Sequence, residues 1–214
     1  MEEPFESIDE WVTKNLKSVD IREPPVDSLV LARHLGLEII ESDAPTRSRS
    51  RRVTIDPEWP LERQQSTVAL AIARIMREEQ GQEIAVPLTT LVERLLVPQI
   101  WWPRDARSSD YDPMVLKARY ITATYAMLAH RLPELVEGSI VTIVDGDRVE
   151  WRRGHGVRTP RMLAPAEQAC IDQVRDTECH AYVVHPGWTV NAWPTTGSGI
   201  IVRSIVEPME PDEA

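Results

Sequence analysis

The sequence predicts an α+β protein with a helical first part around a short sheet and a smaller, mainly antiparallel last part. Up to about residue 133, apolar residues recur at helical spacing, and two short extended runs interrupt them. Beyond Gly138 the pattern becomes extended, and SIVTIV and RVEWRR flank Asp-Gly-Asp as a hairpin would. We therefore expect a helical domain over residues 1–133, a small α+β module over residues 139–207 and an acidic tail over residues 208–214.

Capping residues and apolar spacing locate the individual elements. Ser7 and Glu10 form a capping-box pattern at the start of a helix over residues 8–17, and Asp27 is an N-cap for a second helix that stops at Gly36. The remaining predicted elements are strands Leu37–Ile40 and Val53–Asp56, helices Leu61–Arg77, Leu88–Leu96, Met114–Leu132 and Pro165–Val174, a connection over Gln99–Tyr111, and strands CHAYVV, TVNAW and GIIVRSIV after the hairpin.

The predicted helix Leu61–Arg77 is unusual in its middle, TVALAIARIM, where Arg74 is the one charged residue. This composition predicts a helix that is buried on nearly all sides. Arg74 then has two interpretations. Its guanidinium either extends along the helix to solvent or stays buried as a fixed cation with Glu93 or Glu78 as its partner. We favour the second interpretation slightly.

The run IDPEWPLERQQSTVALAIARIM resembles the segment of the ImmA/IrrE metallo-endopeptidases in which Arg-Gln leads into Ala-His-Glu-x-x-His. In this register the three catalytic positions are held by Leu70, Ala71 and Arg74, so the zinc-binding His and the catalytic Glu are replaced. PPVDSLVLARHLGLEII and LVERLLVP resemble flanking family segments, so the resemblance covers roughly the first half of the chain. The third zinc ligand of the family corresponds to a position near Pro87, which offers no ligand.

The resemblance implies a zincin-like core without zinc or another cofactor, and a catalytically inactive regulatory protein that holds a protein partner in the former substrate cleft. Active relatives act on helix-turn-helix repressors in phage, mobile-element and stress regulons, so a helix-turn-helix regulator is the partner that the resemblance suggests. The candidate partner-binding residues are Arg74, Glu93, Trp101, Trp102, Arg47, Arg49, Arg51 and Arg52. For Trp101 and Trp102 the size of the indoles favours burial in the core instead.

Two other functions remain open from the residues alone. One is an enzyme, either a peptidase with displaced ligands such as His130 or His180 or another hydrolase built in the last third. The other is nucleic-acid binding through the loop TRSRSRR, which contains Arg47 to Arg52. A formal charge of -10, with 34 acidic and 24 basic residues, argues against a general grip on phosphate backbones.

Cysteine and histidine placement gives no metal site. His180 and His185 lie beside Cys179, but residues five apart on a strand point to opposite faces. The two cysteines form no CxxC motif, the amino terminus has no signal-peptide pattern, and the apolar runs are shorter than a membrane span requires. We therefore expect a cytoplasmic protein with reduced thiols and no membrane partner.

Overall fold

The structure is a computed structural model that describes residues 5–43, 51–79, 86–196 and 199–206. It confirms the α+β class. The helices are α1 (Glu6–Ser18), α2 (Ser28–His34), α3 (Leu61–Glu79), α4 (Leu88–Leu96), α5 (Trp102–Ser108), α6 (Pro113–Arg119), α7 (Tyr125–Arg131) and α8 (Pro165–Thr177), with a short 3-10 turn at Leu132–Glu134. The strands are β1 (Glu38–Glu41), β2 (Arg52–Ile55), β3 (Ser139–Asp145), β4 (Arg148–Gly154), β5 (Ala181–His185), β6 (Trp188–Pro194) and β7 (Gly199–Val206).

The chain forms two compact units. The first contains residues 1–110 and 115–124, and the second contains residues 111–114 and 125–214. The division thus falls earlier in the chain than the predicted boundary after residue 133, and α7 belongs to the second unit. The predicted tail, residues 208–214, lies outside the described residues. None of the helices that the structure describes combines the length and apolarity of a bilayer-spanning segment.

In the first unit, α3 packs against α2, α4 and β2, and α1 packs against α4. Its core is aliphatic because these helices contribute their apolar faces, which include Ile8, Leu16, Leu31, Val68, Ile72, Met76, Leu91 and Leu95. The short sheet pairs β1 with β2 in parallel, from Glu38 opposite Arg52 to Glu41 opposite Ile55. The predicted short sheet among helices is therefore present.

Of the two predicted helix N-caps, the one on α2 is present and the one on α1 is absent. Asp27 accepts a hydrogen bond from the amide of Leu29 at 2.9 Å and one from Val30 at 3.4 Å, and Gly36 follows the helix with φ +75°. The predicted capping box at the start of α1 is wrong. The N-cap is Phe5, and its side chain makes no capping bond. The helix begins earlier than the Ser7 pattern indicates because burial of its apolar face, rather than a cap, stabilises it.

Two predictions between residues 99 and 132 are also corrected. The segment Gln99–Tyr111 is not a plain connection, since it contains α5 with Pro103 in the first turn, where its missing amide costs no helical bond. The predicted long helix Met114–Leu132 is divided into α6 and α7 at residues 120–124. Lys117 Nζ donates to the carbonyl of Ile121 at 2.9 Å in this break, so a side chain satisfies a group that the helix leaves open.

The second unit is built on a five-stranded antiparallel sheet in the order β4-β3-β7-β6-β5. Helix α8 covers one face, and its apolar residues pack on small and β-branched side chains of the strands. This core contains Val144, Ala166, Cys170, Ile171, Val174, Ala181, Val190, Ala192, Ile200 and Val202. The hairpin and the three later strands agree with the predicted antiparallel module.

Candidate functional site

Of the three positions that the resemblance aligns with HExxH, Leu70 and Arg74 lie on one side of α3 and Ala71 is buried. Arg74 is exposed, Leu70 one turn before it is half-buried, and Ala71 is 7% exposed. Residues Arg63, Thr67, Leu70 and Arg74 continue along the same side at helical spacing, and we call this set the outer stripe. The prediction that the middle of this helix is buried on nearly all sides agrees with the structure, because Arg74 is the one exposed residue of Thr67–Met76. Thr67 and Leu70 are half-buried on the same side as Arg74, and the hydroxyl of Thr67 donates to the carbonyl of Arg63 at 2.7 Å.

Exposure of Arg74 decides between its two interpretations. Arg74 is exposed, so the buried position that we favoured for its side chain is wrong. The long aliphatic stem lets an arginine leave a largely apolar helix while its head stays hydrated. Glu93 of α4 is half-buried. Arg63 is the second basic residue of the outer stripe, and its guanidinium stacks over the ring of Trp59 at 4.1 Å.

Trp101 and Trp102, two other candidate partner-binding residues of the first unit, are buried. Trp102 is completely buried and meets Tyr120 edge to face, with ring centroids 5.7 Å apart, so its role as a core residue is confirmed. Trp101 is 6% exposed. Pro87, near the position of the third family ligand, is the N-cap of α4 and is exposed.

The arginine loop is only partly described. Arg47 and Arg49 lie outside the described residues. Arg51 donates to the carbonyl of Leu35 at 3.3 Å, near the end of α2, and Arg52 pairs with Glu38 across the short sheet at 2.6 Å. Both arginines are exposed, but each has an intramolecular partner: Arg51 links the start of β2 to the end of α2, and Arg52 links β2 to β1.

The histidines of the enzyme hypothesis lie against tryptophan rings of the second unit, His130 at a tilt and His180 stacked. His130 lies 4.4 Å from the ring of Trp151, and His180 lies 5.0 Å from the ring of Trp193 with its Nε2 at 3.0 Å from Asn191 Oδ1. Among the residues that the structure describes, no three His, Cys, Asp or Glu side chains are grouped so that they could hold a metal ion.

One buried polar network, which the sequence did not indicate, joins α2 to α3. Gln65 is 3% exposed, and its Oε1 accepts from the amide of Ser28 at 2.7 Å while its Nε2 donates to Asp27 Oδ1 at 3.2 Å. The hydroxyl of Ser28 donates to the main-chain carbonyl of Gln65 at 2.9 Å. The pair Gln64–Gln65 at the start of an apolar helix is the local feature that could have drawn attention to this position, but it does not identify Ser28 as the partner. This network orients α3 and therefore the outer stripe.

A second network surrounds Asp105 of α5, which is 4% exposed. Its carboxylate accepts from Arg104 Nε at 3.0 Å, from Arg119 Nε at 2.7 Å and from the hydroxyl of Tyr120 at 3.0 Å. Burial first, and then the adjacent Asp105 charge, raise the pKa of Tyr120 far above its ordinary value. The phenol therefore stays a hydrogen-bond donor, and the cluster stabilises the segment after α6.

A groove of about 360 Å³ lies at the end of α1. Leu16, Ile21 and Trp101 form apolar walls, and Lys17 and Arg22 bring basic groups to it. This volume falls within the range of small-molecule sites. Asp20 lies beside Arg22 at 2.6 Å, so part of the basic charge is neutralised within the groove.

A third network, in the second unit, is centred on a buried ion pair between Arg152 and Glu167. Glu167 of α8 is fully buried, and its carboxylate receives Arg152 Nη1 at 3.0 Å and Nη2 at 2.8 Å. The hydroxyl of Ser204 donates to it at 2.6 Å and the amide of Ala164 at 2.7 Å. Arg152 Nε also donates to the carbonyl of Pro160 at 3.0 Å. Because these donors occupy both oxygens of the Glu167 carboxylate, the network anchors α8 to the sheet.

Comparison with known proteins shows a similarity in fold to a solved structure. No protein-family model matches the sequence, and no curated protein matches it. A solved structure described as a Mycobacterium tuberculosis transcriptional regulator is similar, with a TM-score of 0.70 and 12% sequence identity. The match covers 93% of this chain and 75% of that chain, so the likeness concerns the fold of nearly the whole protein.

Proposed function

We propose that this protein is a catalytically inactive regulatory protein that binds a protein partner through the outer stripe of α3. The observation that carries the proposal is the side chains at the positions that resemble HExxH. Leu70 and Arg74, which supply neither a zinc ligand nor a base, lie on the outer stripe beside a buried Ala71. The fold likeness to a protein described as a transcriptional regulator supports a regulatory role.

The chemistry of the outer stripe indicates what such a partner presents. Arg63 and Arg74 bring positive charge to a chain whose net charge is -10, and Leu70 adds an apolar contact between them. An acidic partner surface with an apolar centre complements this arrangement. We therefore propose an acidic protein surface as the partner, with a helix-turn-helix regulator as the candidate that the family resemblance suggests.

Affinity capture from the source cell tests the proposal with two matched variants. Leu70→Lys with Arg74→Glu changes the outer stripe, whereas Met162→Lys with Arg161→Glu makes the same charge changes at exposed positions of the second unit. We expect the wild type and the control to retain the same partner and the stripe variant to lose it. Retention by the stripe variant would show that the partner binds elsewhere, and capture of nothing by the wild type would remove the proposal.

Restoring the motif separates this proposal from the enzyme hypothesis. In Leu70→His, Ala71→Glu, Arg74→His we expect weak zinc binding, because Pro87 supplies no third ligand and zinc-binding histidines also need hydrogen-bond partners that orient them. The new carboxylate at 71 is buried without a designed partner, which costs about 1–3 kcal/mol of the free energy of unfolding.

Zinc titration and thermal melts of the triple variant, beside Arg74→Met as a control, measure both effects. Tight stoichiometric zinc together with wild-type melting would contradict the proposal and favour a latent peptidase. Stoichiometric zinc in the wild type, purified without added metal, would equally return the enzyme hypothesis. Binding of nucleic acid with a steep loss of affinity on added salt would favour the arginine loop instead.

A further inference from the structure

The two edges of the five-stranded sheet differ in how they are protected. The edge strand β4 has a register shift opposite Ile143 and Val144, and it carries Arg148, Glu150 and Arg153 as exposed charged residues. Charges and bulges of this kind prevent an edge from pairing with another strand. The other edge strand, β5, has the sequence AYVVH and a regular register with β6. It contains no proline, lysine or acidic residue.

The exposed face of β5 is apolar. Tyr182 is 55% exposed and Val184 is 66% exposed, and because they are two apart on a strand they lie on the same face. The hairpin between β5 and β6 is closed by the two residues Pro186 and Gly187. The alternation of an antiparallel ladder then directs the backbone groups of Tyr182 and Val184 away from β6. In the described part of the chain, β5 pairs with β6 alone.

We propose that β5 pairs with β5 of a second copy of this chain, antiparallel and with the two-fold axis at Val183. In this register Tyr182 lies directly opposite Val184 of the second copy, and Ala181 lies opposite His185 of the second copy. The dimer therefore contains two contacts between an exposed tyrosine and an exposed valine. Aromatic and β-branched residues form favourable pairs across strands. The same register pairs the backbone groups that β6 leaves open and joins two sheets into one of ten strands.

Charge also favours a second copy over a charged partner. Arg175 lies on the flank of α8 that faces the β3–β4 turn, since it donates to the carbonyl of Gly146. Residues two positions apart project from nearly opposite sides of a helix, so Gln173 and Thr177 lie on the flank toward β5. Both are uncharged. Two copies therefore meet at this edge without like-charge opposition, although each chain carries a net charge of -10.

The alternative pairing, β5 against β4 of another copy, is disfavoured by the bulge and the charges of β4. It would also leave an open edge at each end and allow chains of molecules to grow, whereas β5 with β5 closes after two copies. The proposal does not depend on the outer stripe of α3, which lies in the first unit.

The test is the mass of the full-length protein in solution, by sedimentation equilibrium over a dilution series, with two variants. Val184→Lys places a charge on the exposed face of β5, and Val149→Lys makes the same change on β4, where the valine is 40% exposed. We expect twice the chain mass for the wild type and Val149→Lys, and the single chain mass for Val184→Lys with the circular dichroism spectrum of a folded protein. A monomeric wild type, or equal masses for the two variants, would overturn the proposal.

Cross-linking tests the register itself. In Val183→Cys, made with Cys179→Ser to remove the exposed native thiol, the two new thiols meet at the axis, where strand geometry brings their Cα atoms within disulfide range. We expect a covalent dimer on mild oxidation, and none for Val149→Cys in the same background. Failure of a folded Val183→Cys protein to cross-link, or equal cross-linking at position 149, would contradict this register.

Discussion

Removing the carboxylate of Glu167 should be among the most destabilising single changes in the second unit. Glu167 is fully buried, the side chain of Arg152 is 6% exposed, and the two form a two-point ion pair. Glu167→Ala leaves the guanidinium in a site from which water is excluded and removes the acceptor of the Ser204 hydroxyl and the Ala164 amide. Breaking a buried ion pair from one side costs about 3–5 kcal/mol of the free energy of unfolding.

Urea denaturation, followed by circular dichroism, measures this loss directly. The matched control is Glu38→Ala, which breaks a pair with Arg52 whose side chains are 54% and 64% exposed. An exposed pair contributes about 0–1 kcal/mol, so the control should unfold at nearly the wild-type urea concentration. The comparison separates the effect of burial from the effect of an ion pair as such.

The double variant Glu167→Met with Arg152→Met tests the physical reason. Replacing both charges by apolar groups removes the stranded charge, so the double variant should be more stable than Glu167→Ala and closer to the wild type. If Glu167→Ala loses less than about 1 kcal/mol, or if the double variant is no more stable than Glu167→Ala, the reasoning from a stranded charge is refuted.

Two further predictions follow from the buried phenol and the buried thiol. The raised pKa of Tyr120 means that the folded state keeps a proton that the unfolded chain releases near pH 10, so stability is complete below about pH 10 and falls above it. Unfolding at increasing pH should therefore show a steeper alkaline loss for the wild type than for Tyr120→Phe, and equal slopes would contradict this cause. Burial raises the pKa of Cys170 to about 11, whereas Cys179 is exposed, so a thiol reagent at neutral pH should label Cys179 alone until the protein is unfolded. Labelling of both thiols in the native state would be inconsistent with this burial.

The sequence by itself determined the class of fold and most of the elements, because these depend on local patterns. Alternating apolar residues and turn signals located the strands of the last third, and Asp27 and Gly36 marked both ends of α2. Leu88–Leu96 was predicted with the bounds that α4 has. The resemblance that aligns Leu70, Ala71 and Arg74 with HExxH likewise rests on the sequence alone.

Only the tertiary structure decided which residues are exposed and which distant polar groups meet. The single charge within Thr67–Met76 did not show that Thr67 and Leu70 share the side of Arg74 that is least buried, because a threonine or a leucine is compatible with either side of a helix. Gln65 with Ser28 and Glu167 with Arg152 are pairs from separate elements, and neither partner has a local pattern that names the other. The break after α6 and the unprotected edge at β5 also depend on which elements pack nearby. Local spacing determines secondary structure, whereas burial and pairing are properties of the assembled chain.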